Sequence, residues 1–149
     1  MKTLTLTQPW ATLVALGEKR IDTRSWGTKH RGEIAIHAGQ SFPPDCRDLC
    51  DTPPFREVLR EHGLGASDLP RGCIVATALL AQCIQTEVAS VGLYEDYLVF
   101  RLMVYSTGEH ERNFGDYSPG RWAWVLDDIK PLSDPIPARG ALGLWEWRP

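Results

Sequence analysis

The sequence predicts a small, mostly β barrel of five to six strands with helices at its flank, an α+β class weighted towards β. Three observations carry this. Short runs rich in apolar and β-branched residues recur at the start, middle and end of the chain. A helical pattern follows the first of them, and a Pro-bounded stretch with two further short helical patterns separates the early strands from the later ones. The chain has 149 residues, 43% hydrophobic and 23% charged, with a net charge of −3. That length supports one real core but not two ordinary domains, and the balance excludes intrinsic disorder. The expectation is one domain over 1–149 with a helical insertion at about 41–70. No apolar run reaches membrane-spanning length, and the opening Met1–Thr7 alternates apolar and polar residues, unlike a signal-peptide core. A cytoplasmic protein without membrane contact is expected.

Lys2–Thr7 reads as a strand, with Leu4 and Leu6 on one face. Gln8-Pro9 opens a helix, proline suiting a first turn because its missing N–H has no helical partner there. Trp10, Leu13, Val14 and Leu16 have helical spacing, and Gly17 stands where a left-handed residue ends a helix. Lys19–Trp26 and Glu33–Ala38 read as strands, the latter with Ile34 and Ile36 on one face and His37 on the other. His37 is expected to be an interior histidine satisfied by a neighbour. Short helices are expected near Asp45–Cys50 and Phe55–Glu61, and Gly63–Gly72 reads as loop. Cys73–Ile84, rich in Val, Ile and Thr, predicts a buried strand. Val91–Tyr105 fits either a helical stripe or a strand, and Thr107–Arg121 reads as loop. Trp122–Leu126 and Leu142–Trp147 are two late strands, joined by a connection holding Pro131, Pro135 and Pro137.

A pI of about 5.8 argues against a protein that coats duplex DNA by bulk charge. The charge is uneven, however. Glu18–Glu33 holds five Lys or Arg against three acids, a local net of +2 on an acidic body. Such a patch suits a compact anion or a short single strand. The four cysteines, Cys46, Cys50, Cys73 and Cys83, lack the paired spacing of a zinc site. Reduced thiols, no metal and no cofactor are expected.

Recognition groups are densest between Gln8 and Ala38. Trp10 and Trp26 offer planar faces, Lys19, Arg24 and Arg31 offer positive charge, and Asp22 offers an acceptor. In a strand Asp22, Arg24 and Trp26 project to one side. Arginine can grip two phosphate oxygens at once, and an aromatic face gives a base a platform. Trp122, following Pro119-Gly120-Arg121, is a further candidate pocket wall, with Arg121 beside it. The plainer readings are a surface ion pair between Asp22 and Arg24 and core packing for Trp10 and Trp26.

Gln8-Pro9-Trp10-Ala11, then Gly17-Glu18-Lys19-Arg20-Ile21-Asp22-Thr23-Arg24-Ser25-Trp26, then Arg31-Gly32 and Ile36-His37-Ala38, resemble the signature of the ASCH domain, a PUA-like barrel. Its pattern G-x-K-x-x-E-x-R is met at Gly17, Lys19 and Arg24, with Asp22 where glutamate is usual. Phe114-Gly115-Asp116-Tyr117, Gly120-Arg121-Trp122-Ala123-Trp124 and Gly140…Gly143-Leu144-Trp145 resemble the cointegrator-type branch. The resemblance implies a PUA-like barrel with a cleft between the first helix and the barrel. It also implies binding of single-stranded RNA or DNA, or of a nucleoside or nucleotide. Trp10, Lys19, Asp22, Arg24, Trp26, Arg31, Arg121 and Trp122 are the candidate ligand residues.

Some family members are hydrolases, either amidohydrolases on acetylated cytidine, using lysine, threonine and glutamate, or ribonucleases. Lys19 matches the amidohydrolase lysine, but Asp22 replaces its threonine, and the neighbouring Thr23 faces the other side of the strand. Glu109 and Glu111 are loose matches for the glutamate. The alternative function is therefore a hydrolase in which Asp22 activates water and Lys19 stabilises the oxyanion. A third reading is a protein-interaction domain using Ser41–Pro70.

Overall fold

Six strands lie in one sheet, in the order β2-β5-β4-β3-β1-β6. The computed structural model describes residues 1–86, 111 and 113–149. In chain order these hold β1 (Lys2–Leu6), α1 (Trp10–Ala15), β2 (Ile21–Arg24), β3 (Gly32–Ala38), α2 (Pro44–Leu49), α3 (Phe55–Glu61), a 3₁₀ turn (Ala66–Asp68), β4 (Cys73–Gln85), β5 (Trp122–Pro137) and β6 (Leu144–Glu146). The mostly-β class read from the sequence holds, with α1, α2 and α3 all short. The ambiguous segment Val91–Tyr105 lies outside the described residues, as does Glu109. The described residues form two compact units, one from Met1–Lys19, Glu33–Ala78 and Asp128–Pro149, the other from Arg20–Gly32 and Leu79–Asp127.

In the first unit β1 runs parallel to β3, with Leu4 opposite Ile36, and antiparallel to β6. The parallel pair needs a crossover, and α1 lies in that stretch of chain. Pro9 takes the N-cap position rather than the first turn, so α1 begins at Trp10. Its first free amides are met by a residue the apolar pattern passes over. Gln8, fully buried, accepts from Thr12 N at 3.0 Å and donates to Pro70 O at 2.7 Å. Gly17, at φ +76°, ends the helix, a conformation most L-residues avoid. Leu4, Leu6, Leu13, Val14, Ile34, Ile36, Leu59 and Ile74 are buried, each contributing about 1.5–3 kcal/mol.

His37 is buried and satisfied, as the sequence suggested. Its Nε2 lies 2.8 Å from Ala138 O, which can only accept, so Nε2 carries a proton. Nδ1 lies 3.1 Å from Thr5 Oγ1, and that oxygen accepts from Trp145 Nε1 at 3.0 Å.

The expectation for the Pro-rich connection also fails. The Pro-rich connection is the second half of β5, which continues to Pro137 instead of ending at Leu126. The physical reason is an edge. Ala138 N donates to Gly72 O, so by strand alternation the even-numbered amides here face the β4 side. Pro131, Pro135 and Pro137 share the other parity. Their missing N–H groups lie along an edge that no strand among the described residues covers, since the register of β2 with β5 stops at Val125. Proline is tolerated there, and it leaves the edge few donors with which to recruit a foreign strand.

In the second unit β2 pairs antiparallel with β5, placing Ile21 opposite Val125, Asp22 opposite Trp124, Thr23 opposite Ala123 and Arg24 opposite Trp122. β2 is shorter at both ends than the expected Lys19–Trp26. Ile21, Ile84, Ala123 and Val125 form its apolar cluster, with Tyr117 against it.

Candidate functional site

Strand alternation puts Ile21 and Thr23 on one face of β2 and Asp22 and Arg24 on the other. Ile21 goes to the apolar cluster. Thr23 Oγ1 accepts from Asp116 N at 3.0 Å, so this threonine is turned away from Asp22, as the sequence anticipated. On the opposite face Arg24 Nε donates to Asp22 Oδ2 at 2.7 Å, with both side chains mostly buried. The Arg24 guanidinium carbon sits 5.7 Å from the centre of the Trp26 ring, within cation–π reach.

The register brings two more indoles to this face. Trp124, opposite Asp22, is fully buried and meets Trp26 edge-to-face at 4.8 Å. Its Nε1 donates to Trp26 O at 3.1 Å, so the backbone at Trp26 is pinned by the residue beneath it. Trp122, opposite Arg24, is half-buried and packs against Gly27, where an added Cβ would come within 2.5 Å of the indole. Only a residue without a side chain allows that approach. Asp22, Arg24, Trp26 and Trp122 therefore form one group: a carboxylate, a guanidinium and two partly accessible aromatic faces.

The two remaining arginines brace this unit. Arg31 Nη1 donates to Thr28 O and His30 O, each at 2.9 Å, and its Nη2 reaches Cys83 O at 3.4 Å. Arg121 Nη2 donates to Thr23 O at 2.8 Å, while its Nε lies 3.6 Å from Asp116 Oδ2. The Ser118 hydroxyl and amide both bond Asp116 Oδ1 and hold that carboxyl below its usual value, with Arg121 adding to the effect. Thr86 ties β4 to this loop through Ser118 O and Arg121 O.

Trp10 and Lys19 belong to the first unit. Trp10 is half-buried and meets Phe55 edge-to-face at 6.2 Å, which supports the packing reading for it. Lys19 is only 1% exposed. Among the described residues no three His, Cys, Asp or Glu side chains are placed to hold a metal ion.

The most informative residue that the sequence did not position is Glu111. Its carboxylate is 1% exposed and accepts from Ile21 N at 2.8 Å and Arg20 N at 2.9 Å. Both oxygens are thus used to seat the start of β2, the strand that carries Asp22 and Arg24. Nothing local to position 111 points to amides about ninety residues away. Gly27 had a signal: a glycine directly after a tryptophan is a candidate for close approach.

The family model for the ASCH domain matches residues 4–121. The chain belongs to the ASCH domain family. ASCH domains are PUA-like, a fold associated with RNA binding. The chain is 33% identical over 82 residues to activating signal cointegrator 1 from Homo sapiens and, to the same extent, from Mus musculus. The aligned part is 54% of this chain but only 14% of either cointegrator. Among solved structures, an ASCH protein from Zymomonas mobilis aligns over 91% of this chain and 72% of its own, with 14% identity and a TM-score of 0.46. A mutant form of that protein gives 15% identity, 74% coverage of its own chain and a TM-score of 0.45. Asp22 and Arg24, the ion pair at the centre of the group described above, lie within the matched residues.

Proposed function

We propose that this ASCH domain binds single-stranded nucleic acid, RNA before DNA, through Asp22, Arg24, Trp26 and Trp122. The observation that carries the reading is the Arg24 guanidinium, fixed by Asp22 on one side and resting on Trp26 on the other, with Trp122 across the register. A base stacks on the accessible part of an indole, and Arg24 meets the adjoining phosphate or a base edge. Asp22 holds that guanidinium in one orientation, so less side-chain freedom is lost on binding. Arg31 and Arg121 act as braces, holding the 28–31 loop and the 116–121 loop in place.

Titration of labelled 12-nucleotide RNA and DNA by fluorescence anisotropy tests the proposal. Saturable, salt-sensitive binding is expected, with single strands preferred over duplex. Trp26→Ala is expected to weaken it by roughly ten- to hundredfold, as loss of one stacked base at about 1–3 kcal/mol requires. Arg24→Gln is expected to weaken binding and flatten its salt dependence. Absence of saturable binding, or wild-type affinity in both variants, overturns the proposal.

A further inference from the structure

A second basic–aromatic group lies outside that site, between Ala38 and β4. Arg47 of α2 places its guanidinium carbon 5.0 Å from the centre of the Phe42 ring, and Arg71, just before β4, places its own at 5.7 Å from the same ring. Both arginines are exposed, and Phe42 is half-buried. Two like charges are thus gathered around one ring, each within cation–π reach.

The backbone under them is fixed. Arg47 N donates to Pro43 O at 3.0 Å. Gly72, next to Arg71, donates to Ala38 O at 2.8 Å and accepts from Ala138 N at 3.0 Å. Arg71 Nη1 makes one long contact, 3.5 Å to Gln40 O. Each guanidinium carries five N–H donors. Most of those of Arg71, and those of Arg47, make no hydrogen bond among the described residues. Asp45, Asp48 and Asp51 also sit on or beside α2, so this is not a broad positive field. Its capacity is short-range: two oriented guanidinium forks beside an aromatic edge, which matches phosphate oxygens with a neighbouring base or sugar.

We infer that Phe42, Arg47 and Arg71 form an additional phosphate-contact point for a nucleic-acid strand, one that the ASCH motif does not include. The inference rests on the strand-binding reading above. The test is the salt dependence of binding of a labelled 20-nucleotide RNA by the full chain, comparing wild type, Arg47→Gln/Arg71→Gln, Phe42→Leu and Arg24→Gln. Each phosphate contact to a single strand adds about 0.7 to the slope of log K against log salt. Loss of two should make the double variant's slope shallower by about 1.4, so that between 50 and 200 mM salt it loses roughly sevenfold less affinity than wild type.

Phe42→Leu is expected to give an intermediate slope, and all three positions are accessible enough for the variants to melt as wild type does. A wild-type slope in the double variant, while Arg24→Gln weakens binding, overturns this inference alone. No binding by wild type overturns it together with the reading it rests on. Poly-glutamate bound as tightly as RNA and weakened equally by the double variant marks a general anion patch, and also overturns the assignment to a strand.

Discussion

Replacing Glu111 by alanine should loosen the strand that carries the candidate site. The carboxylate serves two amides, of which Ile21 N is buried and Arg20 N partly so. A hydrogen bond to a charged acceptor contributes about 1.5–3 kcal/mol, and a buried donor left unpaired costs about 1–3 kcal/mol. Ile21 N bears the full cost, whereas Arg20 N can recover part of it from water. The sum is about 3–4 kcal/mol for Glu111→Ala. Glu111→Gln keeps one carbonyl oxygen but turns an amide donor towards the second N–H, so about 2 kcal/mol is expected. Urea unfolding followed by tryptophan fluorescence measures both. For a chain of this size the alanine variant should also melt about 10 °C lower. Hydrogen exchange should show the Arg20 and Ile21 amides losing protection before the rest of the sheet. A Glu111→Ala variant within about 0.5 kcal/mol of wild type, the margin of ordinary surface changes, would refute the reasoning.

Three further outcomes follow from particular contacts. Gly27→Ala puts a Cβ into the Trp122 indole and should cost about 1–3 kcal/mol of stability while shifting the Trp122 resonances; unchanged resonances would show that the ring does not rest there. Lys2, with the amino group of Met1, holds the Glu146 carboxyl below its ordinary value of 4.5. The resulting stabilisation is present above that value and fades as pH falls through the lowered one. Glu146→Gln should therefore melt below wild type at pH 7 and converge with it in acid, and a gap that widens in acid would contradict this. Burial pushes the Cys46, Cys50, Cys73 and Cys83 thiols above the ordinary 9.0, so all four should react with a disulfide reagent at pH 8 only upon unfolding. Fast reaction of any one in the native protein would count against its placement.

Much of the fold was legible because short-range patterns decide it. Alternation located β1 and β3, β-branched content located β4, spacing with Gly17 located α1, and the face shared by Asp22 and Arg24 followed from strand geometry alone. Composition misled where long-range structure changes what a residue means. Prolines read as a loop signal, yet on an edge of β5 that no described strand covers they cost no ladder bond among the described residues. β2 is only four residues long because Glu111, rather than another strand, meets the amides at its start. The tryptophans sorted by register, which a single sequence does not reveal: Trp124 falls beneath Trp26 and Trp122 beside Arg24 only once β2 is laid against β5. Gln8 and Thr86 carry their roles through partners dozens of residues away, and nothing near them in sequence marks those partners.

The indole N–H resonances of the six tryptophans offer the most direct measurement, followed as single-stranded RNA is added to the intact protein. Trp26 and Trp122 should shift together and saturate at one affinity, while Trp145, whose Nε1 is held by Thr5, should stay in place. Saturable shifts confined to Trp145 and Trp147, with Trp26 and Trp122 unmoved, would contradict a binding surface built on Asp22 and Arg24.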